Sequence, residues 1–221
     1  MTAVPTSTSN QPAALPRRMA PEQRRQHLIE VAAAIFAERP FDQVAVDDIT
    51  DAAGVSRALF YRYFAGPREI FTATTQQIVE GLILEFADVS HELTLLEQMH
   101  QSLGAFLDFA ESFSANYVAL LRNTSVQAST GTDTIIEQLR AASVAEMLRR
   151  VHVTNPTRIL LLTLENWVRL VEYTTLTWLC GTGLQREGLE DWLIGQLIGM
   201  AGASAQRDPA TAEVIVAALS S

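Results

Sequence analysis

The chain has 221 residues, 48% of them hydrophobic, and a formal net charge of −9. That length carries one or two domains and a sizeable core, and a pI near 4.9 excludes a general attraction to nucleic acid. A single cysteine, Cys180, excludes an intramolecular disulfide or a multi-cysteine metal site.

Residues 1–20 hold Pro5, Pro12 and Pro16 among Ser, Thr, Asn and Gln, and are expected to be a disordered tail. Pro21 opens the first helix, with Glu22 in its first turn. Leu28, Val31, Ala32, Ile35 and Phe36 give that helix an apolar stripe, which Pro40 and Phe41 end. From Val46 to Phe64 the sequence reads as two short helices joined by a tight turn. Ile49, Ala52 and Ala53 face inward on the first. Gly54 supplies the left-handed backbone of the bend, Val55 buries beneath it, and Ser56 caps the next helix. Phe60 and Phe64, four apart, point inward together; Arg57, Ala58, Tyr61 and Arg62 then occupy the opposite face. Two arginines, a tyrosine and a small residue suit a helix presented to the major groove of DNA.

Extended by its flanks, the segment LIEVAAAIFAERPFDQVAVDDITDAAGVSRALFYRYFAGPREIF resembles the DNA-binding domain of the TetR family of transcriptional regulators. The AxxIFAERxF close of the first helix, the VDDI start of the second, AAGVS at the turn and the FYRYF ending carry the likeness. The resemblance covers about the first third of the chain. It implies an all-α fold with a three-helix reader at residues 21–66 and a larger helical domain for effector binding and dimerisation at 67–221. It also implies a double-stranded DNA operator, a homodimer and a small-molecule effector as partners. The residues assigned to DNA are Ser56, Arg57, Ala58, Tyr61, Arg62, Tyr63 and Arg68, with Arg57 as the bidentate guanine contact.

Four positions depart from the family pattern. Val44 and Ala45 replace threonines that commonly cap the second helix and bond phosphate; Asp47 and Asp48 are expected to offset part of that loss. Leu59 replaces a hydroxyl residue, leaving apolar contact with a thymine methyl, and Pro67 stands where a phosphate-binding lysine is common. Charge is partitioned in keeping with a reader at the N-terminus. Residues 1–71 hold eight arginines and eight acids, whereas 72–221 hold eight arginines and seventeen acids. Arg18, Arg24, Arg25, Arg57, Arg62 and Arg68 must therefore gather toward one surface if phosphate is to be bound.

Beyond Gly66-Pro67 a fourth helix runs to about residue 90 through Phe71, Ile78, Leu82 and Phe86. It joins the two domains and is the natural transmitter between them. Leu95 to Phe113 forms a fifth helix, Asn116 to Val126 a sixth, and Ser129 to Thr132 a loop. Asp133 starts a seventh, Asn155-Pro156 an eighth, Leu189 a ninth and Asp208-Pro209 a last, for nine or ten in all. In the eighth, Arg158, Glu165, Arg169 and Glu172 form one solvated stripe and the remaining circumference is apolar. These charges break the apolar stretch from Ile159 to Cys180, which excludes a membrane span, and no secretory signal opens the chain; a cytoplasmic protein is expected.

Phe106, Phe109, Phe113, Tyr117, Trp167, Tyr173 and Trp178 are the expected walls of an effector pocket, with Asn166 and Arg169 as polar contacts. Their composition points to an apolar or aromatic ligand. Trp192, Gly195 and Gly199 mark a dimer face, the eighth and ninth helices pairing with their copies as a four-helix bundle. No catalytic site, metal or cofactor is expected. His91-Glu92 is followed by Leu95 where a zinc helix needs histidine, and Gly54-Val55-Ser56 lacks the last glycine of a nucleophile elbow, Ala58 standing there. A repressor released by its ligand is the principal expectation; a helical small-molecule binder with a weakened reader is the alternative.

Overall fold

The computed structural model describes residues 20–122, 132–181 and 183–219. Among these residues there are ten α-helices and no strand. They are α1 (Pro21–Glu38), α2 (Val46–Ala53), α3 (Arg57–Phe60), α4 (Pro67–Asp88), α5 (Leu95–Ser112), α6 (Ser114–Arg122), α7 (Thr132–Arg150), α8 (Arg158–Leu179), α9 (Leu189–Ala205) and α10 (Pro209–Leu219). A short 3-10 turn at Phe41–Gln43 links α1 to α2. The expected tail, the far end of the sixth helix and most of the loop before α7 lie outside the described residues.

Two apolar clusters organise the chain. The first joins Leu28, Ile29, Ala32 and Phe36 of α1 to Ile49, Phe60, Phe64, Ile70 and Phe71, with Phe113 reaching in from the end of α5. The Phe36 and Phe71 rings meet edge to face at 5.0 Å, a geometry favoured by the ring quadrupoles. The second is larger and lies among α4, α5, α7, α8 and α9, with Leu107 and Leu193 fully buried in it. Helix α4 contributes to both, Ile70 and Phe71 above and Val79, Leu82 and Phe86 below.

Several ends differ from expectation. Helix α8 starts at Arg158, not at Asn155-Pro156, because the Thr157 hydroxyl caps it by accepting the Leu160 N–H at 3.2 Å. The stripe on α8 is interrupted too. Glu172 is only 9% exposed and accepts from Arg140 of α7 through both oxygens, at 2.7–2.9 Å. The adjoining helix supplies a counter-ion, so that a carboxylate can sit on a buried face. No helix among the described residues is long and apolar enough to cross a membrane.

Candidate functional site

The reader is built around the turn at Gly54. Its φ of 64° and ψ of 36° are left-handed, which suits a residue without a β-carbon. The Val55 N–H returns to the Thr50 carbonyl at 3.0 Å and closes α2. The Ser56 hydroxyl then accepts the Leu59 N–H at 3.2 Å and opens α3. The α-helical part of α3 is four residues long; Tyr61 to Tyr63 continue as a tighter turn, with Tyr63 N–H to Phe60 carbonyl at 2.9 Å. Phe60 and Phe64 are buried with rings 5.8 Å apart, and Arg25 of α1 lies 5.1 Å over the Phe64 ring.

Ser56, Arg57, Ala58, Tyr61, Arg62 and Arg68 are exposed, whereas Tyr63 is half-buried against the first cluster. Arg57 pairs with Asp47 of α2 at 3.0 Å across the turn. A hydrogen bond with Tyr61, and then the Asp47 charge, hold the Arg57 guanidinium above its ordinary pKa. Leu59 is half-buried, so only part of its side chain is available to a thymine methyl. Val44 is 6% exposed and belongs to the core, where an apolar side chain is the better occupant. At Ala45 the missing cap is supplied from the other direction: the Asp48 carboxylate accepts the Ala45 N–H at 2.8 Å.

Below the reader lie two cavities. The larger, about 100 Å³, is bordered by Phe86, Met99, Leu103, Trp167 and Val168, with Gln98, Glu146 and Arg150 at one end. Arg150 donates to Glu146 and Gln98 and to the Phe86 carbonyl, which fixes that end. The smaller, about 40 Å³, lies beneath α4 and is lined by Thr75, Ile78, Phe109, Phe113 and Tyr117. Phe106, Leu139 and Glu172 border both. Burial pushes the Tyr117 phenol far above its usual pKa, so it stays neutral; its hydroxyl donates to the Glu172 carbonyl at 3.4 Å.

Five of the seven expected pocket residues thus line one cavity or the other. Tyr173 does not: it is 68% exposed and borders a surface groove beside Trp192. Trp178 does not either, packing at the edge of the second cluster with Arg186 over its ring at 6.0 Å. Asn166 and Arg169 are exposed and line neither cavity. The face of α8 that carries them turns outward. Glu172, paired with Arg140, and Thr75 are polar residues that do line the cavities. Their sequence signal was slight, because a buried ion pair between two helices leaves no periodic trace in either. Trp192, Gly195 and Gly199 are exposed on the outer face of α9, and a β-carbon on either glycine would meet nothing within 4 Å. No group of three or more His, Cys, Asp or Glu is placed to hold a metal ion among the described residues.

An outward arginine face on a capped turn, carried by a helix that also walls two cavities, defines a helix-turn-helix DNA-binding protein. Residues 28–74 match the family described as bacterial regulatory proteins, tetR family, and residues 95–200 the tetracyclin repressor-like C-terminal domain. A crystal structure of a tetR-family transcriptional regulator from Streptomyces coelicolor is 31% identical, with a TM-score of 0.85, over 91% of this chain and 90% of that one. The HTH-type transcriptional activator FasR of Mycolicibacterium smegmatis is 29% identical over 110 residues, 49% of this chain and 50% of its own. The HTH-type transcriptional repressor KstR2 of Mycobacterium tuberculosis is 35% identical over 66 residues, 30% of this chain and 33% of its own. The chain thus spans half or less of these two curated relatives, but nine-tenths of the Streptomyces protein. It belongs to the TetR family and is a DNA-binding transcriptional regulator. The family is one of regulators, not of enzymes.

Proposed function

We propose that the chain is a cytoplasmic repressor that binds a palindromic operator as a homodimer and is released by a small, largely apolar effector. Residues 21–66 form the reader; residues 67–221 bind the effector and the second subunit. Arg57 reads guanine in the major groove, while Tyr61, Arg62, Tyr63 and Arg68 contact the phosphate backbone. The observation that carries this reading is α4 itself. One helix anchors the reader through Ile70 and Phe71 and walls the smaller cavity through Thr75, Ile78 and Val79. A ligand that prefers a different position of α4 shifts the population toward reader spacings that no longer fit successive grooves. The Asp48 cap and the buried Val44 speak against a weakened reader. Selection of genomic fragments by the purified protein tests the proposal: an enriched palindrome is expected, and fragments held without sequence preference would overturn it.

A further inference from the structure

We infer that the effector is a carboxylic acid with an apolar body, its carboxylate held by Arg150 at the end of the larger cavity and its body along Phe86, Leu103 and Trp167. The inference rests on reading that cavity as the effector site and names the class of ligand it selects. The cavity is partly open, so its volume of about 100 Å³ sets no ceiling on the length of the body. Its wall accepts apolar groups of many shapes; the charged end is what discriminates.

Arg150 lies in the last turn of α7, and its side chain is only 6% exposed. A guanidinium meets a carboxylate best through two parallel N–H bonds. Among the described residues Arg150 has no such match. Its Nε donates to one oxygen of Glu146 at 2.7 Å. Its terminal nitrogens donate to neutral acceptors, the Gln98 side-chain oxygen at 2.6 Å and the Phe86 carbonyl. Glu146 itself is held through both oxygens by the half-exposed Arg149, at 2.7 Å each. Hydrogen bonds from Arg149, and then from Arg150, keep the Glu146 carboxyl below its ordinary pKa, so it stays ionised. His91, beside Arg149 at 3.5 Å, brings no negative charge. Two guanidiniums thus share one carboxylate, and the excess positive charge falls on the buried one.

The other charged group on this cavity is Glu172, and its position is the reverse. Arg140 donates to both of its oxygens at 2.7–2.9 Å. Arg140 also pairs with Glu137, but Glu137 is 60% exposed, so the excess negative charge there is screened by solvent. A cationic ligand would therefore find its counter-charge already matched, and would lie in the field of Arg150. A neutral ligand gains only the apolar wall. A carboxylate gains that wall and a desolvated guanidinium whose terminal nitrogens face no other anion among the described residues.

Probes matched in their apolar body isolate this chemistry: octanoate, octanol and octylamine, with phenylbutyrate and phenylbutanol as a second body, titrated calorimetrically into the full chain at neutral pH. Each acid is expected to bind roughly ten- to hundredfold tighter than its alcohol, the range of hydrogen bonds to a charged group, and octylamine more weakly than octanol. Arg150→Gln should bring each acid down to its alcohol or below, and Arg150→Lys, which keeps the charge without the fork, should restore part of the preference. Should Arg150→Gln lose cooperative unfolding, Glu146→Gln carries the test: with the shared carboxylate gone, the acids should bind tighter and the alcohols as before. An alcohol binding as tightly as its acid, octylamine binding tightest, an acid preference that Arg150→Gln leaves intact, or acids that gain nothing from Glu146→Gln would overturn the inference while leaving the cavity as an effector site. Failure of every probe to bind would overturn both.

Discussion

Asp48 supplies from inside α2 what Ala45 lacks as a cap. It accepts the Ala45 N–H at 2.8 Å and the Arg39 guanidinium at 3.3 Å, and the backbone hydrogen bond is the main reason its carboxyl sits below the ordinary value of 3.8. A carboxyl lowered on folding stabilises the fold above its unfolded pKa, and that contribution is lost as the pH falls through the folded value. Asp48→Ala should therefore unfold at a lower temperature than the parent at pH 7, with the gap narrowing below about pH 4. Circular dichroism melts at pH 7 and pH 3 measure both, and an equal gap at the two would contradict the account. Nearby, Arg57 pairs with Asp47 at 3.0 Å on the exposed face of the reader. Replacing Arg57 with alanine should cost roughly five- to a hundredfold in discrimination at one base position per half-site, the range of a bidentate guanine contact. Binding across a panel of operator variants reads this directly; an unchanged preference would remove Arg57 from the base contacts.

Among the elements, α6 couples the two clusters in a way its own sequence does not announce. Asn116 is fully buried, accepts the Phe41 N–H at 2.8 Å and donates to the carbonyls of Arg39, at 2.9 Å, and Phe36. One side chain of α6 thus closes the end of α1, and its neighbour Tyr117 lines the smaller cavity. Asn116→Ala leaves the buried Phe36 carbonyl, and the half-buried Phe41 N–H and Arg39 carbonyl, without this partner, the buried group alone costing about 1–3 kcal/mol when orphaned. It should lower stability and also weaken the coupling between effector and DNA. Denaturant unfolding and operator affinity with and without ligand measure the two effects. A loss of stability with coupling intact would leave α4 as the sole transmitter. The partners of Asn116 lie 75 to 80 residues away in sequence, and those of Glu172 lie 32 away. Such pairs follow no helical period, which is why neither could be read from the chain. The turn at Gly54, the Ser56 cap and the buried Phe60 and Phe64 could be, because each depends on residues within a few positions of its own. Tyr173, expected in the pocket, lies 68% exposed in a surface groove for a related reason: an aromatic residue among apolar neighbours carries no local signal of which face of its helix is covered.

At the scale of the molecule, the outer surfaces of α8 and α9 leave Ile159, Leu162, Tyr173, Trp192 and Ile198 exposed. A lone reader makes few contacts, and a palindromic site becomes legible only when two readers are held about 34 Å apart, one turn of the duplex. In the homodimer proposed above this face joins the subunits: Gly195 and Gly199 are one helical turn apart and a β-carbon on either points into open space within the chain. These glycines each cost about 1 kcal/mol of helix stability relative to alanine, a cost the isolated subunit has no packing reason to bear. In the proposed homodimer a second copy approaching closely along α9 provides one. Gly199→Leu should then leave the subunit folded, or raise its helix stability, while shifting the protein to monomer at micromolar concentration. Operator affinity should fall with it, because two linked half-sites bind far more tightly than one. Light scattering after gel filtration gives the mass and a thermal melt the stability. A variant that remains dimeric would move the subunit contact off this face, and a variant that unfolds would mean that position 199 packs within its own chain.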